Sequence, residues 1–479
     1  MITGTLRLFS ESDLDRLHEA TLKVLEGTGM QVLSGRLLDA LERSGARVDR
    51  AQHTVRYPRA LVEALVAERR QRPWQPPREA TEAPRELALG LSGVIAPFIY
   101  DYAAKARRPA TQADLLDTIH WAEVDLSPQR EVDLAVTMGE VPPIIEPIVA
   151  YELLLEHTTR PGRAYTTEPV QIPYLVELAE IYYGRPVFPR GTDFVTSPLT
   201  ISSRLAEHTL AAIRAGQTHF PCGVMPICGG NAPITVAGNV VQSAAEMLGL
   251  WLAIRAVCPQ ATFSGGACNG IVDLRKGTPS FNAPEALLAD LGVCELFRRR
   301  YGGDVHVAAF SDYIDAALPG IQAAYERTYR AMAIAAFVGD HFQLGGQGTL
   351  DAGQIFSPEQ FILERDMSEG LVRLGQGIAV SEETIALETI QQVGAGEGKS
   401  FLDTEHTLRH FRETWFPRYL YRGVYQDDAA EHARDAQMLS AAHEHYRACI
   451  ARYQPPKLDE GKVRAMRAVV ERARRDLVG

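Results

Sequence analysis

Cysteine is scarce in this sequence, and its few thiols form no recognisable pattern. Six cysteines are spread irregularly over 479 residues, which does not make a disulfide framework. Cys222 and Cys228 lie six positions apart, and Cys268 follows in another predicted loop. This is not the spacing of a zinc knuckle, so we expect buried or loop thiols and no bound metal.

Long apolar runs and dense basic stretches are missing as well. No run of 18 apolar residues is apparent, and the opening MITGTLRLFSESD lacks the apolar core of a signal peptide, so we expect a soluble, cytoplasmic protein. The formal net charge of -11 and the lack of a basic stripe argue against nucleic acid as a partner. The stretch AERRQRPWQPPR is short and broken by proline, which indicates a solvated linker rather than a binding patch.

The sequence pattern divides the chain into three blocks. Residues 1–75 predict a helical region, because SESDLDRLHEATLKVLEGTG combines a capping residue, leucines at helical spacing and a glycine stop. Residues 76–395 begin in a proline- and charge-rich boundary and then show an alternating pattern. Residues 396–479 predict helices again, and we interpret their charges as solvated faces.

The central block predicts eight β–α units in about 285 residues, the size of a single barrel. Short apolar or β-branched runs, such as VDLAVTM, HFPCGVMP and HFQLGG, alternate with longer amphipathic segments. Eight such units fit one closed (β/α)8 TIM barrel, here with N-terminal and C-terminal helical extensions. A doubly wound open sheet is the alternative, although no GxGxxG follows the first predicted strand.

The predicted strand ends are rich in hydroxyls, amides and aromatic rings, with a few carboxylates. In a barrel these ends surround the active site. No P-loop, GxSxG or HExxH motif occurs, and no histidine stands at a predicted strand end. Such a set suits a cationic substrate whose reaction needs no proton transfer. At the eighth end, GGQGT either lets backbone approach a ligand or forms a plain turn.

Several longer motifs resemble the trimethylamine methyltransferase family. They are TSPLT, GGNAPITVAGNVVQSAAEMLG, VDLRKGTPSFNAPE, SDYIDAALPGIQAAYE and HTLRHFRETWFPRYL, and the resemblance covers nearly the whole chain. It implies a TIM barrel, a methylated amine substrate and a cob(I)alamin acceptor on a separate corrinoid protein. Trimethylamine enzymes of this family carry pyrrolysine, whereas this sequence has only standard residues. It therefore looks like the branch that acts on quaternary amines such as glycine betaine.

The resemblance also suggests which residues form the site. A quaternary ammonium leaves as a neutral amine, so the protein needs no general acid and must mainly position the cation, partly by cation–π attraction. We predict Asp312 as the catalytic residue. The predicted substrate contacts are Tyr313, Tyr102, Gln347, Phe310, Glu168 and Asn269. The glycines predicted to leave room for the corrin ring are Gly345, Gly346, Gly348, Gly265 and Gly266.

Two other functions stay open on the sequence alone. The same fold could use tetrahydrofolate as the methyl acceptor or take a methyl group from a thioether or sulfonium, and it could also bind betaine without catalysis. The predicted partners are a corrinoid protein and a small quaternary amine, and neither nucleic acid nor a membrane. We expect cobalamin to reside on the partner rather than tightly on this chain, and we expect a homo-oligomer.

Overall fold

Helices and short strands alternate along the middle of the chain in the computed structural model, which makes the protein a mixed α/β fold. The structure describes residues 6–71, 95–128, 130–191, 194–302, 305–307, 313–338, 346–420 and 434–479. The predicted site residues Phe310, Asp312 and Gly345 lie outside the described residues, as does most of the proline-rich boundary.

The helices of the central block stand where the sequence predicts them. The bounds of the α-helices are α1 Glu11–Lys23, α2 Gly35–Arg43, α3 Arg59–Arg70, α4 Gln112–Asp125, α5 Glu146–His157, α6 Ile172–Tyr183, α7 Ser203–Arg214, α8 Val236–Val257, α9 Pro284–Leu296, α10 Ile321–Val338, α11 Pro358–Gly375, α12 Glu382–Ile385, α13 Leu387–Val393, α14 Glu405–His410, α15 Arg434–Arg452 and α16 Glu460–Leu477. The eight predicted central helices correspond to α4–α11. Side-chain caps from Thr111, Ser202 and Ser357 fix the starts of α4, α7 and α11.

The strands are short. Their bounds are β1 Met30–Val32, β2 Arg47–Asp49, β3 Thr54–Arg56, β4 Phe98–Asp101, β5 Ala106–Pro109, β6 Thr200–Ile201, β7 His219–Val224, β8 Ile227–Cys228, β9 Thr262–Ala267, β10 Gly270–Asp273, β11 Thr278–Ser280, β12 Val305–Val307, β13 Thr349–Leu350 and β14 Ile355–Phe356. They form sheets of three or four strands, and none of these sheets closes on itself within the described ranges.

Parallel pairings nonetheless follow one another around the central block in chain order. Single parallel bridges join Ala96 to Val136, Val132 to Pro161, Tyr165 to Arg190 and Phe194 to Gly223. The strand β7 then pairs in parallel with β9, and β9 with β12. We call these seven successive extended stretches the ladder and number its segments one to seven, from the stretch at Ala96 to β12.

The N-terminal block contains a small sheet that the sequence pattern missed. The strands β2 and β3 form an antiparallel hairpin, β1 pairs in antiparallel orientation with the other edge of β3, and β1 in turn pairs in parallel with β6 of the central block. Each of these strands has only two or three residues, too few for an alternating pattern to show. Leu14, Leu22 and Leu25 pack into the same apolar core as Trp251 of α8, so this block is part of the main body.

The central helix α8 is apolar on nearly all sides because it is surrounded by protein. It packs against α1, α2 and α9 and against the ladder. By length and composition it could cross a membrane, in contrast to the expectation of no such run, but 72% of the apolar window is buried. An all-round apolar helix is also what a central core position requires.

The C-terminal helices cover the outside of the central block. The helix α15 packs on α4 and α11, and α16 packs on α5 and α6. Met466, Val469 and Val470 of α16 are buried in the same core as α5 and α6. Between α11 and α15 the chain is different, because no residue from 372 to 420 is buried.

Candidate functional site

Two glycines predicted to lie at the site, Gly265 and Gly266, are adjacent residues on β9, the sixth ladder segment. A Cβ atom at Gly265 would meet Met247 Sδ at 2.5 Å and Val305 Cγ2 at 2.9 Å, so Gly265 faces the helix layer. Because side chains alternate along a strand, Gly266 faces the opposite, inner side, together with Ser264. Ser264 Oγ lies 3.2 Å from Nε2 of His219 on β7. Of the two, Gly266 therefore lies on the side of β9 that faces away from the helix layer.

Asn269, just beyond β9, is held in a fully buried polar network. Its backbone N and its Nδ2 donate to Asp290 Oδ1 at 2.6 and 2.9 Å, and Ser243 Oγ donates to its Oδ1 at 3.0 Å. These contacts tie the end of β9 to α8 and α9. Asn269 therefore fixes the position of the strand end, and its amide oxygen already has a protein partner.

Tyr313, which follows the seventh segment, packs against an aromatic neighbour. Its ring meets Phe281 edge-on, with centroids 5.4 Å apart and planes at 70°. The backbone of Phe281 is clamped, since its N donates to Asp315 Oδ1 at 2.9 Å and its carbonyl accepts from Arg330 Nη1 at 2.7 Å. The result is an aromatic pair of a buried Phe281 and a partly exposed Tyr313 on a fixed backbone, near the ends of the sixth and seventh segments.

The glycine-rich stretch after the predicted eighth strand forms a tightly held turn. Gly346 and Gly348 have φ angles of +58° and +72°, which L side chains rarely adopt. Arg327 Nη2 donates to the carbonyl of Gly346, and the N of Gly348 donates to Glu364 Oε2 at 2.8 Å. Arg327 and Glu364 are wholly buried and form an ion pair.

The surroundings of Gly348 are filled by protein. A Cβ atom there would meet Phe361 Cβ at 2.8 Å and Phe356 Cε2 at 2.9 Å, and Gln347 beside it is only 5% exposed. The sequence left two interpretations of GGQGT, the approach of a ligand or a plain turn. At Gly348 the geometry favours the plain turn. Glycine is needed there for positive φ and close packing rather than for a neighbouring ligand.

The Tyr102 ring is turned toward the C-terminal helices, while its side chain also packs against the apolar cluster that contains Ile314, next to Tyr313. The ring stacks on His443 of α15 at 4.3 Å, and His443 Nδ1 lies 2.8 Å from Glu359 Oε1. Glu168 caps a short 3-10 turn and is about half exposed, 3.6 Å from Arg204. Asn269 and Tyr313 are linked through Asp290, Arg330 and Phe281, since Arg330 Nη2 lies 3.8 Å from Asp290 Oδ2.

A carboxyl group that the sequence analysis did not single out lies near the ends of the second and third segments. Glu146, the first residue of α5, is 5% exposed, accepts from the N of Met138 at 2.9 Å and accepts from the hydroxyl of Tyr165. Burial, with a smaller contribution from the charge of Glu140, raises the pKa of Glu146 to about 7. A buried carboxyl group with a perturbed pKa is a common feature of functional sites. Its only signal in the sequence is a glutamate inside the apolar run PIIEPIV.

A second buried carboxyl group connects two of the motifs. Glu246 of α8 accepts from Ser197 Oγ at 2.8 Å and from the N of Leu199 at 2.9 Å, within TSPLT. Gln242 Nε2 donates to it at 2.9 Å, and burial raises its pKa. Glu246 thereby fixes the turn that ends the fourth segment, which contains a cis Ser197–Pro198 bond.

One group of described side chains could hold a metal ion, away from the ladder ends. It consists of Asp125 of α4 with His445 and Cys449 of α15. Asp125 is already compensated, since Arg365 Nη1 lies 2.7 Å and His445 Nε2 2.8 Å from its oxygens, and its pKa is lowered to about 2. A guanidinium this close would repel a metal cation, so we interpret the group as an ion-pair network joining α4, α11 and α15.

Comparison with known proteins identifies the family. The model of the trimethylamine methyltransferase family matches residues 2–478. Trimethylamine methyltransferase MttB of Methanosarcina barkeri is 27% identical over 493 residues, which covers 98% of this chain and 95% of the relative. MttB of Desulfitobacterium hafniense strain DCB-2 is 26% identical over 97% of this chain and 93% of its own. The glycine betaine methyltransferase of D. hafniense strain Y51 is 25% identical over 94% of each chain. The resemblance seen in the sequence motifs is confirmed, and the chain belongs to the trimethylamine methyltransferase family of enzymes.

Proposed function

We propose that this methyltransferase moves a methyl group from a quaternary amine of the glycine betaine type to cob(I)alamin carried by a separate corrinoid protein. Two sequence facts support a quaternary amine: the similarity to a glycine betaine methyltransferase and the presence of standard residues only. We place the reaction in the cytoplasm and expect the enzyme to act as a homo-oligomer.

The proposal includes a closed (β/α)8 barrel. Seven parallel segments follow one another in chain order, each leading into one of the predicted helices. The chain also comes back to its starting point, because β14 pairs in parallel with β4, Ile355 with Phe98. One position is then left between the seventh segment and the first, where the sequence predicts the strand HFQLGG.

The observation that carries the proposal is a pair of unlike groups near the ladder ends. In an eight-stranded ring, the second and third strands lie across from the sixth and seventh. The Glu146–Tyr165 pair belongs to the first side and the Phe281–Tyr313 pair to the second. An aromatic face and a carboxyl group on opposite sides of an opening suit a small organic cation, and each cation–π contact contributes about 0.5–2 kcal/mol.

The raised pKa of Glu146 fits a substrate that loses its charge. A fully ionised carboxylate would stabilise the bound ammonium before reaction more than the transition state, in which that charge is disappearing. A carboxyl group with a pKa of about 7 carries only part of a negative charge near neutral pH. Glu146 and Tyr165 therefore hold the cation with a weaker field, and the aromatic pair orients one methyl group toward the open end.

The corrinoid is proposed to arrive on its own protein rather than to rest on the glycine turn. Gly348 lies beneath Phe361 and Phe356, so it fits poorly as a cradle for a flat ring. Gly266, which faces away from the helix layer near the end of the sixth segment, is the better candidate for the side at which the ring approaches. When bound there, cob(I)alamin supplies the nucleophile for the methyl carbon. This chain's residues hold the amine, exclude water and release a neutral amine without donating a proton.

The direct test is methyl transfer to reduced cobalamin. The purified protein is incubated with chemically reduced cobalamin and with glycine betaine, carnitine, proline betaine or γ-butyrobetaine, and methylcobalamin is followed by absorbance. We expect product from at least one quaternary amine, and faster transfer with a cognate corrinoid protein. Failure with every amine and with the corrinoid protein would contradict the proposal, and product formed only with tetrahydrofolate would replace the acceptor.

A further inference from the structure

The segment between α11 and α15 exposes more large apolar side chains per residue than the rest of the described chain. We call residues 377–414 the arm. It contains α12, α13 and α14, and not one of its residues is buried. Nine large apolar side chains on it are 43–87% exposed: Ile378, Val380, Ile385, Leu387, Ile390, Phe401, Leu402, Leu408 and Phe411.

Both ends of the arm are fixed to the same helix. It leaves the body at the end of α11, and the chain that follows it returns to α11. Trp415 there lies against Gly370, where a Cβ atom would meet its ring at 3.0 Å. The buried Asp366 accepts from the backbone N of Arg418 and of Tyr419 at 2.9 and 2.7 Å. The arm is thus held at its root, and the ion pair of Glu383 with Arg409 joins its first and last helices.

The exposed area is of the size that a permanent interface requires. A fully exposed aliphatic side chain presents on the order of 100 Å² and an aromatic one about 150–250 Å², so the nine partly exposed side chains together present on the order of 650 Å² of apolar surface. Apolar patches on monomers reach about 300–600 Å², and a stable interface covers about 800 Å² on each partner. The arm is therefore suited to a partner that stays bound.

A complementary apolar groove lies on the same chain. It is a groove of about 540 Å³ between α10, α11 and α15, lined among others by Ile321, Tyr325, Leu363, Met367, Met438 and Leu439. Ile321 and Tyr325 on its rim are 73% and 70% exposed. The groove also includes Leu420, close to the root of the arm, so the two apolar surfaces adjoin.

We propose that two copies of this chain dimerise by exchanging arms, with the arm of each copy laid in the α10–α11–α15 groove of the other. Under a two-fold axis each arm lies in the groove of the other copy, so that both arms and both grooves are covered. A corrinoid protein is a less suitable occupant, because a partner that docks and leaves in each cycle favours smaller and more polar contacts. The inference rests on the arm and the groove, independently of the proposed methyl transfer.

The test is the mass of the full chain in solution, measured by sedimentation velocity over a range of concentrations. We expect a dimer of the 52.7 kDa chain. Leu402→Asp on the arm and Ile321→Asp on the groove should each raise the dimer dissociation constant at least about tenfold. Leu274→Asp is the matched control, because Leu274 is 76% exposed in the turn between β10 and β11, outside both surfaces.

Each outcome decides the proposal. The variants should keep the circular dichroism spectrum of the wild type, since both substituted side chains are solvent-exposed in one copy, and their melting temperature should fall only with the loss of the dimer. A monomeric wild-type chain, even with hydrogen exchange slowed in the arm, would overturn the proposal, because the arm would then be covered by its own chain. Loss of the dimer in Leu402→Asp but not in Ile321→Asp would overturn the groove as the docking site, and equal loss in Leu274→Asp would overturn both.

Discussion

Glu146 and Glu364 are both buried carboxyl groups, and burial raises the pKa of both, but Glu364 is paired with a guanidinium and Glu146 with neutral donors. Glu364 lies beneath the glycine turn, beside Arg327, whose charge opposes the effect of burial, and both side chains are wholly buried. Glu146 receives a hydroxyl and one backbone N–H, and the nearby charge of Glu140 raises its pKa further, to about 7. The first arrangement holds the glycine turn through a buried ion pair, whereas the second leaves a carboxyl group able to change its charge near neutral pH.

The largest expected effect follows from replacing Glu364, and it should be an effect on the free energy of unfolding alone. Glu364→Leu removes the carboxylate that is paired with the buried Arg327, and breaking a buried ion pair in this way costs about 3–5 kcal/mol of unfolding free energy. Thermal or urea unfolding measures this loss. The double variant Arg327→Met with Glu364→Leu should recover much of the lost stability, because neither charge of the pair is then left buried. If the double variant were as unstable as the single one, the ion pair would not be the cause.

Glu146→Gln should have a smaller effect on stability and a clear effect on pH dependence. In the folded wild type the pKa is raised from 4.5 to about 7, so the folded state keeps its proton while the unfolded state loses it. The free energy of unfolding therefore falls as the pH rises from about 4.5 to about 7. The glutamine variant should lack this fall.

The same variant tests the proposed role of Glu146 at the cation. Affinity of the wild type for glycine betaine should increase as the pH rises through about 7, since Glu146 then ionises, and affinity of Glu146→Gln should not change over that range. Calorimetric titration at pH 6 and pH 8 measures both. Tyr165→Phe is the control, because it removes the hydroxyl contact and keeps the carboxyl group. A pH-dependent affinity that survives in Glu146→Gln would point to another group.

The smallest expected effect concerns Tyr313 and Tyr102, the two tyrosines that are predicted to contact the substrate. Tyr313→Ala should weaken amine binding by about 1–2 kcal/mol, and Tyr313→Phe should be milder because the ring face remains. Tyr102→Ala should leave binding nearly unchanged and lower the melting temperature slightly, since Tyr102 stacks on His443 of α15. Equal losses of amine binding in both alanine variants would instead indicate that both rings contact the amine.

The sequence predicted the central elements well because helical periodicity is a local property. The segments from ADLLDTIHWAEV to SPEQFILERDMSEGLVRLG coincide with α4–α11, and the ladder follows the predicted strands in order. The strands β1–β3 were missed because three residues carry almost no periodic signal.

The site was harder to predict because its contacts join distant parts of the chain. The glycines of GGQGT indicated a special backbone, but not that Arg327 and Glu364 would hold it from two helices. Glu146 escaped attention since it stands eight residues beyond Met138, at the start of a helix rather than at a strand end. Tyr102 follows the first predicted strand, but the direction of its ring depends on α15, more than three hundred residues away.

The contact between Glu246 and the turn at Ser197 has a consequence for how this sequence can change over time. A single carboxyl group accepts the Ser197 hydroxyl and the Leu199 N–H, so losing it would remove the acceptor of two partly buried donors. A substitution at position 246 is then more easily tolerated when position 197 changes as well, because that change removes one of the two donors. Although 49 residues separate them, the two positions should be inherited as a unit, and an alignment of relatives should show them covarying.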